Sequence, residues 1–423
     1  MELSDRQESA VLQAVDALSG EMIEFLQGLT RIPTVNPPGA EYPAAAEFIG
    51  RQLKAFRYDV QYVTADDRPE HTAQHPRINV MGQIKGAVPV LHFNGHFDVV
   101  PVGAGWTVDP FGAVISGGKL YGRGTCDQKA GIAASIFAIE AIRRSGLKLT
   151  GTIEQSGTVD EESGGFAGVA CLARRGLIHK DRTNFVIITE PSNVDRICVG
   201  HRGVYWFKVI QHGRIGHGSM PHLGIGAADH LGELIHAVTH TLKPELAKRK
   251  TGMPVEPPGS RYASININSI FGGQPEEGSQ TPCVIDRAGA IFDRRFLAEE
   301  RLEDVQSEVR QLLDRVQAAN PKSKYSIEDL MVVHPTQTDS SSELVLAVSS
   351  SIESVLGTKP PLMASPGTYD QKHVTRIGLV NDCIAYGPGI LDLAHQPDEY
   401  VLIEDLINSS KVMALTAMRL LGC

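Results

Sequence analysis

The chain of 423 residues lacks several features that would place it in a membrane, an oxidising compartment or a nucleic-acid complex. Its longest nearly apolar stretch, Gly131 to Ile142, is broken by Glu140 and falls well short of the roughly 20 residues that span a bilayer. Its six cysteines (Cys126, Cys171, Cys198, Cys283, Cys383 and Cys423) never lie two or three residues apart. That spacing excludes a zinc ribbon or dithiol redox motif and leaves reduced, mostly buried thiols as the expectation. There is no basic excess: Lys plus Arg number 40 against 49 Asp plus Glu, a net charge of −9. A mildly acidic chain is the wrong sign for a generic nucleic-acid binder or an anionic membrane surface. The start, Met1-Glu2-Leu3-Ser4-Asp5, has neither the basic opening nor the apolar core of a signal peptide. A soluble, cytoplasmic protein is therefore expected. Internal repeats and low-complexity segments are missing too, and 42% apolar with 21% charged residues is ordinary globular composition.

What is present is an alternation of strand and helix, the pattern of an α/β fold. Residues 12–29 and 42–56 have helical spacing on either side of the Pro37-Pro38-Gly39 break. Residues 58–63, 78–84, 88–93, 150–158 and 185–189 read as strands, with a helix over 128–144. The texture then changes: strand-like 199–211, a long helix over 227–248, strands over 262–270 and 284–292, a charged amphipathic helix over 297–319, and a strand over 325–333. That β-α-β-β-α-β order suits a ferredoxin-like layer. Later, 377–386 reads as a strand and 400–421 as a closing helix. The expected architecture is a mixed-sheet α/β domain in two parts, 1–197 and 335–423, interrupted by an inserted α+β domain over 198–334.

Side chains able to hold a metal fall where the outer strands end. His96 and Asp98 follow one strand, Glu161 and Glu162 another, and Glu190 a third; Asp127 precedes a helix and His395 follows the last strand. In an open α/β sheet the carboxyl ends of strands line one crevice. Two histidines and several carboxylates there suit borderline divalent cations, and a carboxylate can bridge two of them. Each piece alone has a plainer explanation. His-x-Asp can be a solvated turn, Asp160-Glu161-Glu162 surface charge, Glu190-Pro191 a strand exit and His395 structural. Their order and placement make the set stronger than its parts.

The ordered set resembles the co-catalytic metallohydrolase family of acetylornithine deacetylase, succinyl-diaminopimelate desuccinylase, aminoacylase and carboxypeptidase G. The resemblance spans nearly the whole chain. It rests on Asn94-Gly95-His96-Phe97-Asp98-Val99-Val100-Pro101, Gly122-Arg123-Gly124 with Asp127, Asp160-Glu161-Glu162 with Gly164-Gly165, and Tyr386-Gly387-Pro388-Gly389 with Ala394-His395 and Asp398-Glu399-Tyr400. It implies two divalent metal ions, zinc first with manganese or cobalt as options. His96, Asp127 and Glu190 would hold one, and Asp127, Glu162 and His395 the other. Asp98 would orient His96 from behind. Glu161 would be the general base for a metal-bridged water attacking an amide carbonyl. It further implies a lid and dimerisation role for the inserted domain, hence a homodimer. His217, in His217-Gly218-Ser219-Met220-Pro221-His222, would polarise the scissile carbonyl, in dimeric members from the partner; otherwise it is a turn histidine capping the next helix. Arg295, in Asp293-Arg294-Arg295, would grip a substrate carboxylate or else form a structural ion pair. Gly387 would line the substrate site.

Departures from the family pattern fall where substrate is read: Pro282 in place of asparagine, Ile285 in place of proline, Gly226-Ala227 in place of Asn-Ala, and Gly367-Thr368-Tyr369-Asp370 in place of Gly-Gly-Thr-Asp. The expected activity is hydrolysis of a small N-acylated amino acid, of the deacetylase or desuccinylase type. The alternatives are a metallo-carboxypeptidase or dipeptidase, or a hydrolase of an unusual amide or amine such as a deformylase or deaminase of a ring compound. A cysteine hydrolase built on Cys126 is disfavoured, because a reactive thiol needs an electropositive site and its neighbour is Asp127. A non-catalytic binding protein is disfavoured by the intact ligand and base set.

Overall fold

The structure is a computed structural model that describes residues 3–273, 282–322 and 324–423. It divides into two compact units. One contains residues 1–200, 338–363 and 369–423; the other contains 201–337 and 364–368.

The larger unit is built on a mixed sheet. Across it run, in spatial order, the strands Asp59–Thr64, Ile78–Ile84, Gly151–Thr158, Ala87–His96, Phe185–Ile188, Cys383–Ala385 and Ile197–His201. Gly151–Thr158, Ala87–His96, Phe185–Ile188 and Cys383–Ala385 are mutually parallel, while the flanking strands run antiparallel. Both faces of the parallel part of such a sheet are covered: in Phe185–Ile188 all four residues are apolar and buried, and Gly151–Thr158 is buried throughout even though Thr152, Glu154, Gln155, Ser156 and Thr158 are polar. The helices Asp5–Thr30, Lys129–Arg144 and Ile403–Leu421 pack on one another, the latter two also on Ala87–His96. The first begins at a capping box, in which the Ser4 hydroxyl takes the Gln7 N–H and the Gln7 side chain returns to the Ser4 backbone, satisfying two otherwise orphaned amides. The apolar stretch around Gly131–Ile142 is the middle of the second helix, buried from Lys129 through Ile142; a helix apolar all round belongs inside. Glu140, the interruption, is buried and paired with Arg143 and Arg144.

The smaller unit is a four-stranded antiparallel sheet in the order Ser264–Gly272, Arg287–Phe296, Gly203–His212, Lys324–Val333. The helices Ala227–Ala237 and Leu302–Ala319 connect it, giving the β-α-β-β-α-β wiring of a ferredoxin-like layer. It has its own core, centred on Tyr205, Phe207, Phe292, Leu231, Leu234 and Val309.

Several elements differ from expectation for local reasons. The helix expected over 227–248 stops at Ala237, widens into a π turn over Val238–Leu242 and resumes at Lys243–Leu246. Pro244 has no N–H to donate back into the helix. The strand expected over 377–386 shrinks to Cys383–Ala385 behind the helix Gln371–Arg376, since Leu379 takes a left-handed backbone (φ 57°) that no strand tolerates. The run over 199–211 breaks at Arg202 into strands of two different sheets. The closing helix begins only at Ile403, because Tyr400–Leu402 pairs with Lys119–Tyr121.

Candidate metal centre

Parallel pairing brings the predicted ligands to one edge. His96 lies directly across from Thr158, and Asn94 from Ile188. The turn carrying Glu161 and Glu162 leaves after Thr158, and Glu190 comes two residues after Ile188. Asp127 sits just before the helix Lys129–Arg144, and His395 in the loop before Tyr400–Leu402.

The side chains converge in two groups around Asp127. Its Oδ1 is 3.1 Å from His96 Nε2, which is itself 3.9 Å from Glu190 Oε1. Its Oδ2 is 3.5 Å from His395 Nε2, which is 3.1 Å from Glu162 Oε1. His96, Asp127 and Glu162 each offer a ligand atom within 4.8 Å of the others. Among the described residues no lysine or arginine lies within ion-pair distance of Asp127, Glu162 or Glu190.

Three carboxylates gathered out of water without a cation are costly, by several kcal/mol per buried ion. The protonation of the group reflects this. Burial pushes Glu162 up to about 7, with His395 pulling the other way and the charge of Asp127 adding to the rise. Burial and then Asp127 push Glu190 well above the usual carboxylate range. Burial opposes the ionisation of Asp127, but hydrogen bonds to His395 and His96 outweigh it and hold its carboxyl low. His395 is pushed up to about 10 by its bonds to Asp127 and Glu162. Burial also works against a charge on His96, yet Asp127 and Asp98 raise it well above the ordinary histidine value. Metal binding to a group of this kind displaces protons from its ligands. Two imidazoles and three carboxylates with no competing ammonium or guanidinium fit a borderline divalent ion.

Glu161 stands apart from this group. Its Oε1 accepts a hydrogen bond from Lys372 Nζ at 3.1 Å. Asp98, fully buried, ties the two halves of the site together: Oδ1 accepts the Glu161 N–H (3.1 Å), and Oδ2 accepts the Glu162 N–H (3.2 Å) and Asn36 Nδ2 (3.0 Å). The nearest partner of His96 Nδ1 is the Asp98 main-chain carbonyl at 3.0 Å, with the Asp98 carboxylate at 3.4 Å. Gly387 sits where a Cβ would come within 2.4 Å of the Thr189 carbonyl and 2.8 Å of the Glu190 carbonyl. Its lack of a side chain lets that loop press on the strand exit that carries Glu190.

In the smaller unit, His217 is exposed on the two-residue strand Gly216–His217 and pairs through Nδ1 with the Ser219 hydroxyl (2.8 Å). Arg295 lies on Arg287–Phe296 and makes a two-pronged bond to Asp293, Nε to Oδ1 at 2.7 Å and the second nitrogen to Oδ2 at 3.0 Å.

Two supporting groups escaped the reading of the sequence. Glu399 Oε1 accepts the backbone N–H groups of Gly124, Cys126 and Asp127 (2.9–3.1 Å), while its Oε2 takes Arg123 at 2.6 Å. Arg123 in turn donates to the His395 carbonyl. One buried ion pair thus shapes the loops of both Asp127 and His395. Glu399 lies in the Asp398-Glu399-Tyr400 motif, but nothing local reveals that it faces the Gly122–Asp127 loop. Lys372, two residues past Gly367-Thr368-Tyr369-Asp370, carried no signal at all.

This fold and edge-on ligand set define a metal-dependent hydrolase of amide bonds. The chain belongs to peptidase family M20/M25/M40, whose model matches residues 92–419. It is 27% identical over 417 residues to a succinyl-diaminopimelate desuccinylase of Gluconacetobacter diazotrophicus, covering 97% of this chain and 99% of that protein. In fold it is similar to the dipeptidase Dug1p of Saccharomyces cerevisiae (TM-score 0.77, 18% identity, 99% and 100% of the two chains). It is likewise similar to a dinuclear metal-binding M20 peptidase of Bacillus subtilis (TM-score 0.70, 16% identity, 96% and 99%). Among the described residues no helix is long and apolar enough to cross a membrane.

Proposed function

We propose that this protein hydrolyses the amide bond of a small N-acylated amino acid, with N-succinyl and N-acetyl compounds as the substrate class. The supporting observation is the division of labour at Asp127: one carboxylate oxygen faces His96 and the other faces His395. In this reading His96, Asp127 and Glu190 hold one divalent ion and Asp127, Glu162 and His395 a second, with zinc preferred and manganese or cobalt as substitutes. Ions bound there would polarise the amide carbonyl and acidify the attacking water. Glu161 takes the proton of that water and returns it to the leaving nitrogen. Asp98, through the backbone amides of both glutamates, holds base and ligand in fixed relation. His217, on the inserted unit, polarises the carbonyl from the partner subunit of a homodimer, Arg295 releases Asp293 to grip a substrate carboxylate, and Gly387 lines the substrate site. The protein acts in the cytoplasm.

Metal analysis of the purified protein, with chelation and add-back on a panel of N-acyl amino acids and dipeptides, tests this reading. The expected result is two ions per chain and N-acyl hydrolysis lost on chelation and restored by zinc, manganese or cobalt. Turnover of dipeptides alone would overturn the substrate class, and absence of metal binding would overturn the site. Glu161→Ala should lower turnover by at least about 100-fold while keeping both ions; ordinary turnover in that variant would remove Glu161 as the base.

A further inference from the structure

The carboxylates at the sheet edge are sorted by whether a cation accompanies them. Asp127, Glu162 and Glu190 have none among the described residues, whereas Glu161 has Lys372, 3.1 Å away, with both side chains nearly buried (7% and 12% exposed). Lys372 is delivered by a segment that presses on the turn bearing Glu161. His373 Nε2 bonds the Gly164 carbonyl at 2.7 Å. Gly165, at φ 76°, sits where a Cβ would come 2.4 Å from Asp370 Oδ1. Only glycine accepts both that backbone and that approach. Burial works against the charge of Lys372, but Glu161 and Asp370 outweigh it and raise its pKa above the ordinary lysine value. Its ammonium therefore persists where desolvation alone would remove it. Glu161 Oε1 is thereby engaged, and Oε2 accepts no hydrogen bond from the described residues.

We propose that Lys372 is a positioning residue for the general base: by bonding Glu161 Oε1 it fixes the carboxylate plane and reserves Oε2 as the oxygen that takes the proton of the attacking water and passes it to the leaving nitrogen. This rests on the reading of Glu161 as the base. A buried ion pair by itself adds little to stability relative to apolar packing. A lysine spent on the base, and on none of the ligand carboxylates, is explained by orientation.

The test uses the full-length, metal-loaded enzyme and whichever N-succinyl or N-acetyl amino acid of the panel it hydrolyses. Lys372→Met should lower kcat about 10- to 100-fold, the effect typical of losing an outer-sphere partner. KM should stay within about threefold, with two ions per chain by mass spectrometry and an ordinary melting temperature. Lys372→Arg, which keeps the cation and its donors, should recover most of the loss. Should Lys372→Met not fold, Lys372→Gln replaces it under the same criteria. Unchanged kcat, a loss confined to KM, equal impairment of the Arg and Met variants, or loss of metal would each overturn the proposal. Glu161→Gln separates the two readings. If it is inactive while Lys372→Met is fully active, the base stands and the role of Lys372 falls. If it turns over normally, the base assignment falls, and this inference with it.

Discussion

Two histidines four residues apart on one strand, His92 and His96, are equally buried and live in opposite electrostatic surroundings. His92 lies directly across from Glu154 and His96 across from Thr158. His92 Nδ1 meets Glu154 Oε2 at 3.1 Å and its Nε2 meets Ser156 Oγ at 2.7 Å. Glu154 is completed by Gln83 and by an ion pair with Arg182. Every charge in that cluster has its opposite inside the protein. His96 faces Asp127 and Glu190, which have no arginine or lysine partner among the described residues. The difference teaches how to tell a structural polar cluster from a candidate ligand set. Burial and residue type are the same in both; what separates them is whether the positive charge is already present or must be brought in.

The comparison can be broken most sharply at His96. His96→Asn should lose at least one of the two ions and lower turnover by at least about 100-fold, read by metal analysis and steady-state kinetics. Full metal content would mean that the two histidines are alike after all. The next effect belongs to Glu154. Burial pushes its carboxyl upward, but the His92 hydrogen bond and the charges of His92 and Arg182 outweigh it and hold it below the ordinary glutamate range. A depressed carboxyl stabilises the fold above its unfolded pKa and loses that contribution as pH falls through the folded one. Glu154→Gln should therefore cost about 2–3 kcal/mol near pH 7, discounted for the partial exposure of Arg182. The gap to the parent in urea unfolding should narrow steadily below pH 4.5; a gap that does not change with pH would remove ionisation as its source. Smallest is His92→Asn, expected to cost about 1–3 kcal/mol of stability with metal content and turnover unchanged. Loss of metal there would merge the two clusters into one.

The sequence displayed His96 and concealed His92. His96 stands in a recognisable run of motif residues at a strand end. The role of His92 depends on the register between Ala87–His96 and Gly151–Thr158, which no local pattern specifies. The same limit hid Lys372 and the three amides that Glu399 collects, since their partners are 211 and up to 275 residues away. The strand–helix alternation and the ferredoxin-like order were legible because periodicity is local. Boundaries failed where one residue overrode the period, as Pro244 does in its helix and Leu379 in the expected strand. Arg295 pairs with Asp293 in the fold, a partner only two residues away and therefore visible in the sequence.

The larger unit is assembled from segments on both sides of the smaller one, and this has a bearing on how the molecule is made. A ribosome finishes His96, Asp127, Glu162 and Glu190 before the second unit begins, and reaches His395 only after that unit is complete. Arg123 bonds the His395 carbonyl and Glu399 gathers the amides around Asp127, so the Asp127 loop also waits for that late segment to take its final shape. The nascent chain thus carries four of the five candidate ligand side chains for a long interval without the fifth, and the candidate centre is completed only once the second unit has been made.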